Sequence, residues 1–177
     1  MDNIDSIIKK AIKGDEVSFS KLIDLNKEKL YRISYMYVKN EQDTLDIVSS
    51  TVFKAYLNIN KLKDPKLFNT WIIRILINTA ADQLKKTKKI IYIDNYEQFE
   101  NLNKTNEFEF KLANDMDLYN AVDKLDMKYK NLIILKYFED MTISQISKLL
   151  NQSEGTIKVY LSRALKKLKI DLMKECI

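Results

Sequence analysis

The chain has 177 residues, with 30 Lys and Arg against 25 Asp and Glu, no His, one Cys, two Gly and one Pro. Without His, and with Cys176 alone, it excludes His-dependent catalysis, a disulfide framework and a Cys/His zinc site; no metal, cofactor or small-molecule substrate is expected. The net charge of +5 is uneven, because residues 94–117 hold seven acids against Lys104 and Lys111, which leaves −5 there and +10 on the flanks. A basic chain interrupted by an acidic stretch points to a polyanion partner. Few breakers and abundant Leu, Ile, Lys and Glu predict an all-α fold. The opening MDNIDSIIKK is too charged for a signal peptide, and the longest apolar run, residues 71–77, contains Arg74 and cannot span a bilayer. A cytoplasmic protein is expected.

Residues 5–13 read as a short helix stopped by Gly14, with Asp15 capping the next. That second helix runs to about Lys39, with Phe19, Leu22, Ile23, Leu30, Ile33 and Tyr37 at core spacing. Tyr31 and Tyr35 join Tyr37 in a cluster read as buried rather than base-stacking. Residues 41–57 predict a third helix, with Leu45, Val48, Val52, Ala55 and Tyr56 inward and Asp43, Asp46 and Ser50 outward. Those acids either favour the helix dipole or meet a basic partner. A polar loop, 58–64, is closed by Pro65, which biases Asp64 to an extended conformation. Residues 67–86 form the most apolar helix, with Arg74, Asn78, Asp82 and Lys85 along one side. Arg74 and Asn78 either contact phosphates and base edges or pair with one another. Residues 87–114 lose periodicity and read as a partly ordered acidic linker.

Two further helices follow at 117–125 and 128–138. Leu118, Ala121, Val122 and Leu125 face inward in the first; Leu132, Ile133, Ile134, Leu135 and Tyr137 crowd the second. Thr142 is an N-cap, followed by Ile143, Ile146, Leu149 and Leu150 on one face. Asn151 sits at the turn, where the left-handed conformation suits it. Ser153 caps the last helix, with Glu154 in its first turn. Advancing 100° per residue, Ile157, Leu161, Ala164, Leu165, Leu168 and Leu172 fall within an arc of roughly 100°. Lys158, Val159, Ser162, Arg163, Lys166, Lys167 and Lys169 take the opposite half, and no acid lies between Ile157 and Lys169. A tight turn feeding a helix with one packing face and one cationic face suits a helix-turn-helix, the second helix entering the major groove. A merely solvated Lys-rich helix would need neither the turn nor the caps.

Taken together, these stretches resemble the extracytoplasmic-function (group IV) sigma factors of bacterial RNA polymerase. AIKGDEVSFSKLI looks like that family's opening helix pair, and DTLDIVSSTVFKAY like its polymerase-binding and minus-10 segment. FNTWIIRILINTAADQLKK is similar to the Trp-containing helix that follows. Residues 125–168, with GTIK and then Ser162–Arg163–Ala164, resemble the minus-35-binding domain. The chain departs from the family at Thr44–Leu45–Asp46, where Ala-Glu-Asp is usual, at Leu125–Asp126 in place of Leu-Pro, and at Asn151 in place of the turn Gly.

The resemblance implies two small helical domains joined by a flexible linker: a region 2-like domain at 1–86, an acidic linker at 87–114, and a four-helix, region 4-like helix-turn-helix domain at 115–177. It implies core RNA polymerase as partner, through clamp helices and flap, with Asp43, Asp46, Ser50 and Phe53 as contacts. Promoter DNA would be read at minus-35 by Thr156, Lys158, Val159, Ser162 and Arg163, while Lys166, Lys167 and Lys169 bind phosphates. At minus-10, where a base is flipped from the non-template strand, Asn60, Lys61, Lys63, Asn69, Arg74 and Asn78 are the implied contacts. An anti-sigma factor, membrane-bound or soluble, completes the implied partners. No catalysis is expected of the chain itself. The rival reading is a stand-alone helix-turn-helix regulator binding operators as a dimer.

Overall fold

In the computed structural model, residues 3–93 and 121–175 are described, with side-chain surroundings for 3–85 and 121–170. All regular structure among them is helical. The N-terminal part comprises α1 (Ile4–Ile12), α2 (Glu16–Val38), α3 (Glu41–Asn58) and α4 (Phe68–Ile93), with two 3₁₀ turns, Ile59–Lys61 and Pro65–Leu67, between α3 and α4. The C-terminal part has a helical turn at 121–123, α5 (Met127–Ile133) running into a π-turn (Ile134–Phe138), α6 (Ile143–Leu150) and α7 (Glu154–Glu175).

The helix ends obey local chemistry. Asn3, Asp15 and Asn40 accept backbone N–H bonds at the starts of α1, α2 and α3. Gly14 takes φ +94 in the α1–α2 turn, where a side chain would be strained. Asp64 is extended at φ −116 and ψ 114 before Pro65, as the proline demands. Helix α4 runs to Ile93, past the expected end at Lys86, because residues 87–93 contain no Gly or Pro to stop it. The rest of the expected linker lies outside the described residues, as do Leu118 and the side chain of Leu172.

The N-terminal core gathers Leu22, Leu30, Ile33, Ile47, Phe68, Ile72, Ile73 and Leu76, all fully buried. Three expectations fail on helix phase. Leu45 and Tyr56 are exposed, and the buried face of α3 is instead Thr44, Ile47, Thr51 and Ala55, rotated by roughly a quarter turn. Thr44 can sit there because its hydroxyl donates to the Asn40 carbonyl at 2.6 Å, leaving its methyl to pack. Of the tyrosine cluster, Tyr37 is buried, whereas Tyr35 is exposed and stacks on Tyr31 with ring centroids 6.3 Å apart. Tyr137 is exposed too, because α5 closes in the π-turn, where Glu139 N–H reaches back five residues to the Ile134 carbonyl. The loop between α3 and α4 is less polar than expected: Ile59 and Leu62 are buried and pin its two turns to the core.

Candidate nucleic-acid interface

The helix-turn-helix forms as its residues dictate. Thr142 and Gln145 make a reciprocal capping box at the start of α6. Asn151 ends α6 at φ 53 and ψ 49. Ser147 Oγ donates to the Gln152 carbonyl across the turn at 2.5 Å. Ser153 Oγ accepts from Thr156 N–H at 3.1 Å, as an N-cap should. On α7, Ile157, Leu161, Ala164 and Leu168 are buried, and Leu165, expected among them, is exposed at the edge of that face.

The opposite face is open. Lys158, Val159, Ser162, Arg163, Lys166 and Lys169 are exposed, and Thr156, half-buried, shares its hydroxyl with Ser153 at 2.8 Å. Lys167 is exposed but engaged: its Nζ lies 3.3 Å from Asp126 Oδ2 and 4.9 Å from the centroid of the Tyr129 ring. Asp126 has φ −54 at the start of α5, close to the angle a proline ring imposes. The Asp in place of the family's Pro thus keeps the backbone and adds a partner for Lys167. One cluster escaped the sequence reading. Tyr129 and Tyr160 meet edge to face at 6.0 Å, with Lys128 Nζ 4.8 and 5.5 Å from their ring centroids. Only the fold brings Tyr160 of α7 against Tyr129 of α5, so periodicity gave no signal.

In the N-terminal domain, Asn60, Lys61, Lys63, Asn69, Arg74 and Asn78 are all exposed. Lys61 Nζ donates to Asn58 Oδ1 at 2.7 Å, which steadies the first 3₁₀ turn. Arg74 pairs with neither Asn78 nor solvent alone: its Nη2 donates to the carbonyl of Lys148 in α6 at 2.5 Å. Asp82, further along the same stripe, lies 3.9 Å from Lys54 of α3. Beside Asn60, between the α1–α2 turn and the end of α3, is an open groove of about 280 Å³ with Phe19 and Tyr56 on its walls. The Tyr56 hydroxyl donates to Glu16 Oε1 at 2.7 Å, and that bond to a carboxylate holds its pKa above the ordinary range.

Of the four implied polymerase contacts, Asp46, Ser50 and Phe53 are exposed along one stripe of α3, and Leu57, 55% exposed, continues it one turn further. Asp43 stands apart. It is half-buried, and its carboxylate accepts from Asn40 Nδ2 at 2.7 Å while its N–H is capped by Asn40 Oδ1 at 2.8 Å.

Two helical bodies, one with a helix-turn-helix whose outer face is cationic, have the architecture of a DNA-binding protein. The Sigma-70 region 2 family matches residues 22–90, and the Sigma-70, region 4 family matches residues 115–168, together more than half of the chain. The chain is similar to the RNA polymerase sigma factor SigV of Bacillus subtilis, at 39% identity over 150 residues covering 85% of this chain and 88% of SigV. It also resembles the ECF RNA polymerase sigma factor SigW of the same organism, at 30% identity over 176 residues covering 93% and 94% of the two chains. Among solved structures, RpoE in complex with the anti-sigma factor NepR from Bartonella quintana matches with TM-score 0.74 at 20% identity, over 88% of this chain and 96% of RpoE. CnrH in complex with the cytosolic domain of CnrY matches with TM-score 0.71 at 19% identity, over 97% and 99%. The chain belongs to the extracytoplasmic-function sigma factors of RNA polymerase, and it is an alternative sigma factor that directs transcription initiation.

Among the described residues, no helix is long and apolar enough to cross a membrane.

Proposed function

We propose that residues through the end of α4 form the polymerase- and minus-10-binding domain, and that residues from about 115 onward form the minus-35-binding domain. On α7, Lys158, Val159, Ser162 and Arg163 read base edges in the major groove, with Thr156 at the helix start. Lys166 is the phosphate contact, and Lys167 shares that role less fully because Asp126 already holds it. In the other domain, Asn60, Lys61, Lys63 and Asn69 on and beside the two 3₁₀ turns, with Arg74 and Asn78 on α4, take the minus-10 element. Extruding a base costs a few kcal/mol, so the loop must offer a pocket, and the buried Ile59 and Leu62 give it a fixed shape.

Asp46, Ser50, Phe53 and Leu57 dock on core polymerase as an acid-and-apolar stripe; Asp43 serves mainly to hold Asn40, the N-cap of α3, in place. The chain itself performs no catalysis, which polymerase supplies, and it works in the cytoplasm. An anti-sigma factor is its inhibitory partner, as NepR and CnrY are the bound partners in the solved complexes of RpoE and CnrH. The observation that carries this reading is the open face from Lys158 to Lys166, cationic and free of acids on a helix whose reverse is core. Mixed with core polymerase and a promoter library, the full chain should yield transcripts from a small promoter set. Absence of transcripts, with tight operator binding by the free protein, would replace the reading by a stand-alone regulator.

A further inference from the structure

The recognition helix carries its cations unevenly. With Arg163 at the centre of the reading face and 100° per residue, Lys166 lies about 60° to one side, and Lys169 and Lys158 follow at about 120° and 140°. On the other side Lys167, at about 40°, is the only cation between Ile157 and Lys169. Tyr160 comes next at about 60°, and then the buried Ala164 at about 100°. A helix lying in the major groove, which is about 12 Å wide, meets a phosphate wall on each side. One wall faces Lys166 and Lys169. The other faces Lys167, whose Nζ is already 3.3 Å from Asp126 Oδ2.

The fold supplies that second wall from α5. Tyr160 meets Tyr129 of α5 edge to face, with ring centroids 6.0 Å apart and planes at 86°, and Tyr129 is buried. Lys128 is exposed, with its Nζ 4.8 Å from the Tyr129 centroid and 5.5 Å from that of Tyr160. Lys167 Nζ reaches the same Tyr129 ring at 4.9 Å. Two ammonium groups thus converge on one aromatic pair beside the reading face, where like charges repel until anions join them. Asp126 answers Lys167. Lys128 faces two rings and, among the described residues, no acid. A ring attracts an ammonium through its quadrupole without neutralising it, so Lys128 is held in place with its charge still on offer. Holding it beforehand also lowers the ordering cost that a long Lys chain meets on binding.

We propose that Lys128 is a further phosphate contact of the minus-35 interface, gripping the strand opposite the one held by Lys166, and that Tyr160 is the residue that positions it. This rests on the reading of α7 as the recognition helix and deepens it. Lys128 carries no sequence information: a phosphate contact fixes how the helix lies in the groove, and the reading face then chooses the bases. Asp126, by occupying Lys167, leaves Lys128 as the main cation on its side.

The test uses holoenzyme reconstituted from core RNA polymerase and the full chain, on a promoter fragment recovered in the transcription assay. A second fragment carries the same sequence with its minus-35 element scrambled. Each phosphate contact contributes about 0.9 to the slope of log affinity against log salt, so a rise from ~50 to ~200 mM salt should weaken wild type roughly 3.5-fold more than Lys128→Ala. That difference should be the same on both fragments. Lys128 is exposed, so its alanine variant leaves the core untouched. Tyr160→Phe, which keeps the ring, should match wild type. Tyr160→Ala should lose as much slope as Lys128→Ala, and the double alanine variant no more than either. Arg163→Ala is the control, with its loss falling on the native element and far less on the scrambled one. A wild-type slope in Lys128→Ala, a loss confined to the native element, additive losses in the double variant, or Tyr160→Phe behaving like Tyr160→Ala would each overturn the proposal. If Arg163→Ala alone shows its effect, only the roles of Lys128 and Tyr160 fall. If neither Arg163→Ala nor Lys128→Ala changes binding, the recognition-helix reading falls with them.

Discussion

The helix-turn-helix and α3 each bury one face and expose the other, yet only the first was legible face by face. On α7, four buried apolar residues oppose a run of cations, so core and solvent differ in chemistry as sharply as they can. On α3, two of the four buried positions are Thr44 and Thr51, while Leu45, Phe53 and Leu57 are at least 45% exposed. A face built by burying threonine and exposing leucine inverts the usual signal, and it does so on the helix proposed to dock on core polymerase. Departures from simple patterning concentrate where function needs them.

The largest effect that can break the comparison lies in the legible region. Ile146 of α6 is fully buried, so Ile146→Ala should cost about 2–5 kcal/mol, read as a lower urea midpoint for the C-terminal domain. A loss below 1 kcal/mol would mean that this core is looser than its burial indicates.

The same region gives the next effect, on DNA. Arg163→Ala should cost about 1–3 kcal/mol at one minus-35 position and relax specificity there. Lys166→Ala should weaken all sequences alike and reduce the salt slope by about one unit. Lys167→Ala should change that slope less, because its ammonium already faces Asp126 and the Tyr129 ring. Equal slopes for the two lysines would show that the Asp126 contact gives way on DNA. This distinction was invisible in the sequence, where both lysines lie on one cationic arc. Local signals did their part well: Thr142, Asn151 and Ser153 marked the turn because caps and left-handed residues act over a few positions. Contacts between the two domains left no such trace. Arg74 meets Lys148 across 74 positions and Tyr37 meets Asn131 across 94, pairings that only tertiary packing decides.

On α3 the comparison sharpens through binding rather than stability. Phe53, 63% exposed, should lose about 1–2 kcal/mol of affinity for core polymerase as Phe53→Ala, with the unfolding midpoint nearly unchanged. Leu45→Ala, at the edge of the stripe, should affect polymerase binding less. If Leu45→Ala costs more affinity than Phe53→Ala, the docking face is centred nearer Leu45 than the Asp46–Ser50–Phe53 stripe expected from the sequence.

The smallest effect tests why α3 was misread. Thr44 and Thr51 are both fully buried, but only the Thr44 hydroxyl has a partner, the Asn40 carbonyl at 2.6 Å; Thr51 Oγ1 has none. An unpaired buried hydroxyl is a cost, whereas a paired one contributes about 1 kcal/mol. Thr51→Val, which keeps the shape and removes the orphaned oxygen, should therefore be neutral or stabilise by up to about 1 kcal/mol. Thr44→Val should destabilise by about that amount, since it removes the hydroxyl bond and leaves the Asn40 carbonyl only the Thr44 N–H at 3.1 Å. Equal losses at both sites in urea titrations would mean that the Thr51 hydroxyl is bonded after all, and that α3 buries threonine for its oxygen rather than for its methyl.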